Sequence, residues 1–326
     1  MPAKRHGPTS AMAHSRVTWR HVKGELAMAR IVANGIAIEA ERHGPASGRP
    51  MLLIRGLGSQ LIHWPRRMID GLVRAGFHVI VFDNRDSGLS QKFGAAGSPD
   101  IETLKADLAA GRPANLTYTI VDMARDAGGV LDAFGIGAAH ALGISMGGMI
   151  LQTLAREFPD RLQSATIVAS SSGSPDLPTR SPEIEALLLS EPEGTGRKAH
   201  VAHTLKCDRV WGSPGYPFDE GERRTLIERA YDRCHCPEGV GRQYAAVTAC
   251  RTGFADLGGI TVPTLVIHGT DDALLPVAHG EDIATRIPGA KLVTIPGMGH
   301  DLEGEIPDMI VQHVTRLARR SGDSRS

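Results

Sequence analysis

Short, mostly apolar runs at residues 51–54, 78–82, 139–144, 165–169, 264–267 and 291–295 recur along the chain. Runs of this length with little polar alternation predict strands buried on both faces. Ahead of them, residues 29–41 alternate apolar and polar positions on either side of Asn34-Gly35. That dipeptide accepts positive φ at both positions and predicts a tight antiparallel hairpin. Between the runs, helical spacing appears at residues 65–75, 119–134, 146–158 and 307–319. Met123, Ala127, Val130, Leu131 and Phe134 fall on one face of the second, and Ile310, Val314 and Leu317 on one stripe of the last. Strand and helix in alternation predict an α/β fold, a mostly parallel sheet with helices on both faces.

The alternation lapses between about residues 170 and 259, a stretch rich in Pro, Gly and charge, and resumes at Thr261. This divides the chain into a core at 28–170 and 260–320 and a mostly helical insertion, a cap, at 171–259. Residues 1–27 carry Lys4, Arg5, Arg16, Arg20 and Lys23 against Glu25 without strand or helix periodicity, and are expected to be a disordered basic tail, as are residues 321–326.

Composition narrows the function. The 326 residues hold 36 Lys and Arg against 36 Asp and Glu, a formal charge of zero. No global positive field draws in nucleic acid or anionic lipid, so neither is expected as a partner. No apolar run approaches the roughly 18 residues of a membrane span, nor does the N-terminal stretch hold the apolar run of a secretory signal. Four cysteines, Cys207, Cys234, Cys236 and Cys250, are too sparse for a disulfide framework in a chain this long, which points to a reducing cytoplasm.

The candidate chemistry begins where the run at 139–144 meets Gly143-Ile144-Ser145-Met146-Gly147-Gly148. With 38 glycines, composition alone would produce a Gly-x-Ser-x-Gly match about 0.25 times, so the motif by itself is weak. Its place gives it meaning: a serine on a sharp strand-to-helix turn needs small residues two positions to either side, and its hydroxyl then faces the helix N-terminus. A serine hydroxyl is a poor nucleophile near neutrality and needs a histidine base, oriented in turn by a carboxylate. The run at 291–295 leads into Gly297-Met298-Gly299-His300, which makes His300 the base. The run at 264–267 leads into Thr270-Asp271-Asp272, where either aspartate could serve, with Asp176 a more distant rival. An acyl-transfer site also needs amide donors for the oxyanion. The residue after the serine, Met146, and Leu57 of Gly56-Leu57-Gly58, in the loop after the run at 51–54, occupy those places. Trp64, just beyond that loop, is a substrate-contact candidate.

Other features carry blander readings. Cys234-His235-Cys236, even with Cys207 and Cys250 nearby, has a Cys-x-Cys spacing too short for the common zinc knuckle, so no metal is expected. His200 and His203 read likewise. Asp83, Arg85 and Asp86 read as loop-holding charges rather than catalytic ones. Trp211, Tyr216, Phe218, Tyr231, Tyr244 and Phe254 cluster in the insertion, where they fit either cap packing or an apolar pocket wall.

Taken together, Gly-x-Ser-x-Gly at Ser145, the Asp272 loop, the Gly-Met-Gly-His300 loop and Phe82-Asp83-Asn84-Arg85-Asp86-Ser87-Gly88-Leu89-Ser90 resemble the serine α/β-hydrolases. Gly56-Leu57-Gly58-Ser59-Gln60 through Trp64-Pro65 bring the chain nearest to the aclacinomycin methylesterase-like carboxylesterases, with resemblance from about residue 29 to 319. The resemblance implies the α/β-hydrolase fold with an eight-stranded sheet and inserted helical cap, no cofactor, and a triad of Ser145, Asp272 and His300, the family spacing preferring Asp272 over Asp271. It implies a carboxylesterase working through an acyl-enzyme on a small or medium ester, methyl esters included. Lactone opening, perhydrolysis or carbon–carbon bond hydrolysis on the same triad, or a non-catalytic ligand receptor, are the alternatives. One departure stands out: Arg55-Gly56 occupies the oxyanion loop where many relatives carry His-Gly.

Overall fold

The computed structural model describes residues 18–21, 27–188, 190–250 and 256–323. Nine strands form one sheet: β1 (Thr18–His21), β2 (Ala27–Ala33), β3 (Ile36–His43), β4 (Arg49–Ile54), β5 (Phe77–Phe82), β6 (Ala139–Ile144), β7 (Leu162–Val168), β8 (Thr264–Gly269) and β9 (Lys291–Ile295). Their order across the sheet is β1-β2-β3-β5-β4-β6-β7-β8-β9. The pairs β1–β2, β2–β3 and β3–β5 are antiparallel, and every pair from β5–β4 onward is parallel. The β2–β3 hairpin turns on Asn34 (φ 48°) and Gly35 (φ 77°), the left-handed conformations that this dipeptide tolerates.

Core packing follows the strand period of two. Leu52 and Ile54 of β4, with Ile80 and Phe82 of β5, face the side covered by α3 (Ile120–Ala133), α4 (Met146–Glu157) and α9 (Ala278–Arg286). Met51, Leu53, Val79 and Val81 face the opposite side, under α1 (Arg66–Arg74) and α10 (Ile306–Asp323). Burial on both faces explains why these strands read as continuous apolar runs.

Two elements of the core escaped the periodicity, α2 (Ile101–Ala109) and α9. Each is short and buries little: only Leu104 of α2 is buried, and only one large apolar side chain, Ile283, in α9. The expected tails need correcting at both ends. Thr18–His21 pairs with β2 in register Thr18↔Arg30 to His21↔Ala27, adding a ninth strand to the eight expected. The outer edge of β2 offers unpaired amides and carbonyls, and Thr18 and Trp19 are residue types that favour extended backbone. At the other end α10 continues to Asp323, past the expected boundary at 320. The rest of the N-terminal stretch, residues 1–17 and 22–26, and residues 324–326 lie outside the described residues.

Between β7 and β8 the chain leaves the sheet and forms α5 (Pro182–Leu188), α6 (Gly196–Trp211), α7 (Glu220–Arg233) and α8 (Pro237–Cys250). α8 packs Ala246, Val247 and Cys250 on the core, and polar contacts tie α7 and α8 to the loops after β4 and β5. Arg242 on α8 grips the Asp86 carboxylate through Nε at 2.7 Å and Nη2 at 2.9 Å. Arg233 on α7 pairs with Asp83 at 2.7 Å. Gln243 accepts from the Gly58 amide at 2.8 Å and donates to the Arg85 carbonyl at 2.7 Å.

Candidate active site

Ser145 stands between β6 and α4 with φ 56° and ψ −122°, a conformation that L-residues rarely adopt. The turn is possible because its neighbours lack side chains. A Cβ on Gly143 would collide with the Gly147 backbone, and one on Gly147 would collide with the Ile54 carbonyl. Ser170, at the end of β7, donates to the Ser145 carbonyl at 2.8 Å and braces the turn from below.

His300 and Asp272, 28 residues apart, arrive on the loops after β9 and β8. The His300 Nε2 lies 3.0 Å from Ser145 Oγ, and its Nδ1 lies 2.7 Å from Asp272 Oδ2. With Nδ1–H donating to the carboxylate, Nε2 carries the lone pair that can accept the serine proton. Asp272 is buried, and its other oxygen accepts the amides of Leu274 at 3.0 Å and Leu275 at 2.8 Å. Burial alone would raise its carboxyl. The charge and hydrogen bond of His300, the neighbouring His268 and the Leu275 amide outweigh it and hold the group below the usual carboxylate range. Asp271 turns away: its Oδ2 accepts from Thr270 Oγ1 at 2.5 Å and from the Gly297 amide at 3.1 Å. The structure therefore brings Ser145, Asp272 and His300 into one hydrogen-bonded chain and leaves Asp271 outside it.

Leu57 and Met146, the two expected oxyanion donors, flank Ser145. A Cβ on Gly56 would sit 3.1 Å from Ser145 Cβ, so only glycine lets that loop approach so closely. Met146 opens α4, where the first amides have no intrahelical acceptor. Neither the Leu57 nor the Met146 amide has an acceptor among the described residues. Two free donors beside the serine, with the N-terminal end of a helix behind one of them, suit a developing oxyanion.

The site opens on a cavity of about 550 Å³ walled by Arg55, His63, Trp64, Ile144 and His300 from the sheet side. Asp208, Glu222, Arg223, Leu226 and Arg229 wall it from α6 and α7. Trp64 is buried in that wall with the Arg55 guanidinium 4.8 Å from its ring centre. The aromatics of the helical segment take no part: Phe218 packs on Val201, Leu205 and Ile227, Tyr231 stacks on His235 at 4.4 Å, and Tyr216 packs under the sheet. Phe254 lies outside the described residues. The wall opposite the sheet is mostly charged, with Leu226 its apolar member, because Val201 and Leu205 of α6 and Ile227 of α7 pack on each other.

Sequence reasoning missed the brace of the His300 loop. The His300 amide donates to the Trp211 carbonyl at 2.7 Å, the Gly299 amide donates to Ser213 Oγ at 2.8 Å, and the Ser213 amide and hydroxyl both donate to Asp301. Only proximity in space relates these residues, which lie some 88 positions apart, so no local pattern marked them. His268, buried against Asp272, was likewise unmarked; burial lowers its imidazole, and its Nε2 contacts the Leu275 carbonyl at 2.8 Å. The Asp83–Asp86 segment acts as the sequence suggested. Asp83 accepts the amides of Leu61 and Leu89 at 2.7 and 2.8 Å, and Arg85 clasps Asp126 at 2.6 and 2.7 Å. Cys207 Sγ lies 3.6 Å from His203, and all four cysteines are unbridged. Among the described residues no three His, Cys, Asp or Glu side chains gather into a metal-binding group.

Residues 49–203 match the model of the alpha/beta hydrolase fold family. The chain is 30% identical over 293 residues to the rhodomycin D methylesterase DauP of Streptomyces sp. strain C5, covering 83% of this chain and 91% of that protein. It is 26% identical to a 2-hydroxy-6-oxononadienedioate/2-hydroxy-6-oxononatrienedioate hydrolase of Burkholderia vietnamiensis, over 89% of this chain and 94% of the other. Among solved structures it resembles the 2-hydroxy-6-oxo-6-phenylhexa-2,4-dienoate hydrolase of Rhodococcus sp. strain RHA1, with a TM-score of 0.70 and 19% identity over 94% of this chain and 99% of that one.

Proposed function

The chain belongs to the α/β hydrolase fold family, and from that premise we propose that it is a serine carboxylic-ester hydrolase acting on a small or medium ester, methyl esters included. The observation that carries this reading is the continuous chain from Asp272 through His300 to Ser145 Oγ, at 2.7 and 3.0 Å.

In the proposed mechanism Ser145 Oγ attacks the ester carbonyl carbon as His300 Nε2 takes its proton. Asp272 holds the imidazole tautomer and stabilises the imidazolium. The carbonyl electron pair moves onto oxygen, which the Leu57 and Met146 amides receive; such a donor is worth about 10²–10³ in kcat. Collapse breaks the bond to the alkoxy oxygen, which takes the proton from His300 and leaves as the alcohol. Water, deprotonated by His300, then cleaves the acyl-enzyme and restores the Ser145 hydroxyl. The core at 28–170 and 260–320 supplies every group in this cycle, and residues 171–259 act as a cap over it. Trp64 would contact the substrate from the cavity wall. The four unbridged cysteines fit a cytoplasmic location, and among the described residues no helix is long and apolar enough to cross a membrane.

Ser145→Ala should lower kcat on short p-nitrophenyl esters by about 10⁴ or more, with the far-ultraviolet dichroism unchanged. Turnover retained in the purified variant, or no labelling of Ser145 by an active-site phosphonate in the unaltered protein, would overturn the assignment. Tight ligand binding without labelling would favour a receptor instead.

A further inference from the structure

Arg55 follows β4 directly and precedes Gly56, the glycine that touches Ser145. A guanidinium held inside a protein normally faces a carboxylate, because an unpaired buried charge is costly. The other arginines of this cavity obey that rule or stay in water. Arg223 grips Asp208 at 2.7 and 3.1 Å, Arg66 pairs with Asp70 at 2.9 Å, and Arg229 is exposed. Arg55 is half-buried and has no carboxylate partner: its Nε and Nη1 are buried without a hydrogen bond.

No carboxylate acts on the Arg55 guanidinium; the one charge that bears on it is the like charge of Arg223. Trp64, whose ring lies 4.8 Å from the guanidinium, also has its buried Nε1 without an acceptor. His63 Nδ1 lies 2.8 Å from the Gln60 amide and 3.1 Å from the Gln60 carbonyl, so its hydrogen bonding is directed at Gln60 and not at Arg55. Burial, then the charges of Arg55 and Arg223, push that imidazole down to about 3, so His63 is neutral. Burial and the like charge of Arg223 push the Arg55 guanidinium down to about 9, which still leaves it charged near neutrality. The carboxylates that share the cavity serve other groups: Asp208 is taken by Arg223, Asp301 by Ser213, and Glu303 faces the charge of Arg223. A cation and an indole donor without acceptors, on the wall that also holds His300, need a ligand group rich in lone pairs and negative in charge.

We propose that Arg55 is an anion anchor of this site, and that the ester it serves carries a carboxylate which docks on the Arg55 guanidinium, beside the Trp64 ring, while the ester carbonyl meets Ser145. The proposal rests on the esterase reading and names its substrate class: half-esters of dicarboxylic acids, or esters whose alcohol portion bears a carboxylate. The anchor contributes binding and alignment, and the bonds made and broken are those of ester hydrolysis.

The test compares kcat/KM of the full-length protein on matched anionic and neutral esters. One arm uses the monomethyl esters of glutarate and adipate against methyl pentanoate, and the other uses butyryl glycolate against its neutral methyl ester. The anionic member should be favoured by at least about tenfold in one arm, which also identifies the side of the ester that carries the charge. In Arg55→Met the anionic-to-neutral ratio should fall at least about tenfold, and in Arg55→Lys it should lie between. Because the readout is a ratio within each variant, a general loss of active protein cancels. A preference for the neutral ester in both arms, or an unchanged ratio in Arg55→Met, overturns the anchor. If the unaltered protein hydrolyses no ester, the esterase reading fails, and calorimetric titration of glutarate then decides the anchor alone. Binding weakened at least about tenfold by Arg55→Met supports it, and absent or unaltered binding overturns it.

Discussion

The sheet and the helical segment between β7 and β8, proposed above as its cap, are held by different balances of force. Around the sheet, Phe82, Ile80, Leu52 and Ile54 on one face and Met51, Leu53, Val79 and Val81 on the other are almost wholly removed from water. Each such side chain contributes about 1.5–3 kcal/mol through burial. Among the described residues, that segment has Val201, Leu205 and Ile227, with Phe218 against them, as an apolar cluster of its own. Its seat on the core combines directed bonds from Arg233, Arg242 and Gln243 to the loops after β4 and β5 with apolar contacts of α8, where Ala246, Val247 and Cys250 join the core cluster. Apolar burial is indifferent to angle and resists unfolding as a unit. Bidentate ion pairs fix orientation but add little net stability once desolvation is counted. The core therefore holds Ser145 and His300 in place, and α6 to α8, with a smaller apolar cluster of their own, are expected to open at lower cost than global unfolding.

The comparison can be broken at three points. The largest effect is expected from Phe82→Ala, which removes a side chain buried at the centre of the sheet. It should destabilise the whole protein by about 3–5 kcal/mol in urea unfolding; a loss under 1 kcal/mol would show that the sheet is not the cooperative unit. Arg242→Met should cost about 1.5–3 kcal/mol, because it leaves the buried Asp86 carboxylate without its cation. That loss should appear as faster amide exchange in α8 with the β4 and β5 amides still protected. Equal acceleration in both regions would merge cap and core into one unit.

The smallest effect is in pH. Burial alone would raise the Asp86 carboxyl, but the Arg242 hydrogen bond, the Phe93 amide and the Tyr118 hydroxyl outweigh it and hold it below its ordinary range. A group with a depressed folded pKa stabilises fully above its unfolded value of about 3.9 and loses that contribution as pH falls through the folded one. Protection of α8 amides should therefore stay flat from pH 7 to 5 and decline below about 4. The difference between wild type and Asp86→Asn should shrink over the same range. A cap that loosens between pH 7 and 5 would require another titrating group.

The sequence by itself determined the α/β class, the hairpin at Asn34-Gly35, the six later strands and the strand-to-helix turn at Ser145. Each rests on local rules: side-chain alternation, the backbone freedom of a dipeptide, and the space two glycines leave around a strained serine. His300 and the Asp271-Asp272 pair were visible as residues at strand ends, and family spacing favoured the second aspartate. Tertiary structure alone decided the rest. It places Asp272 on the imidazole and Asp271 on the Gly297 amide, ties the His300 loop to Ser213 and Trp211, and leaves the Arg55 guanidinium without a carboxylate. Those facts concern groups far apart along the chain, and whether a charge finds a partner depends on distances that only the packed fold creates. The edge strand at Thr18–His21 belongs with them, since a strand without apolar alternation is defined by the free edge it pairs with.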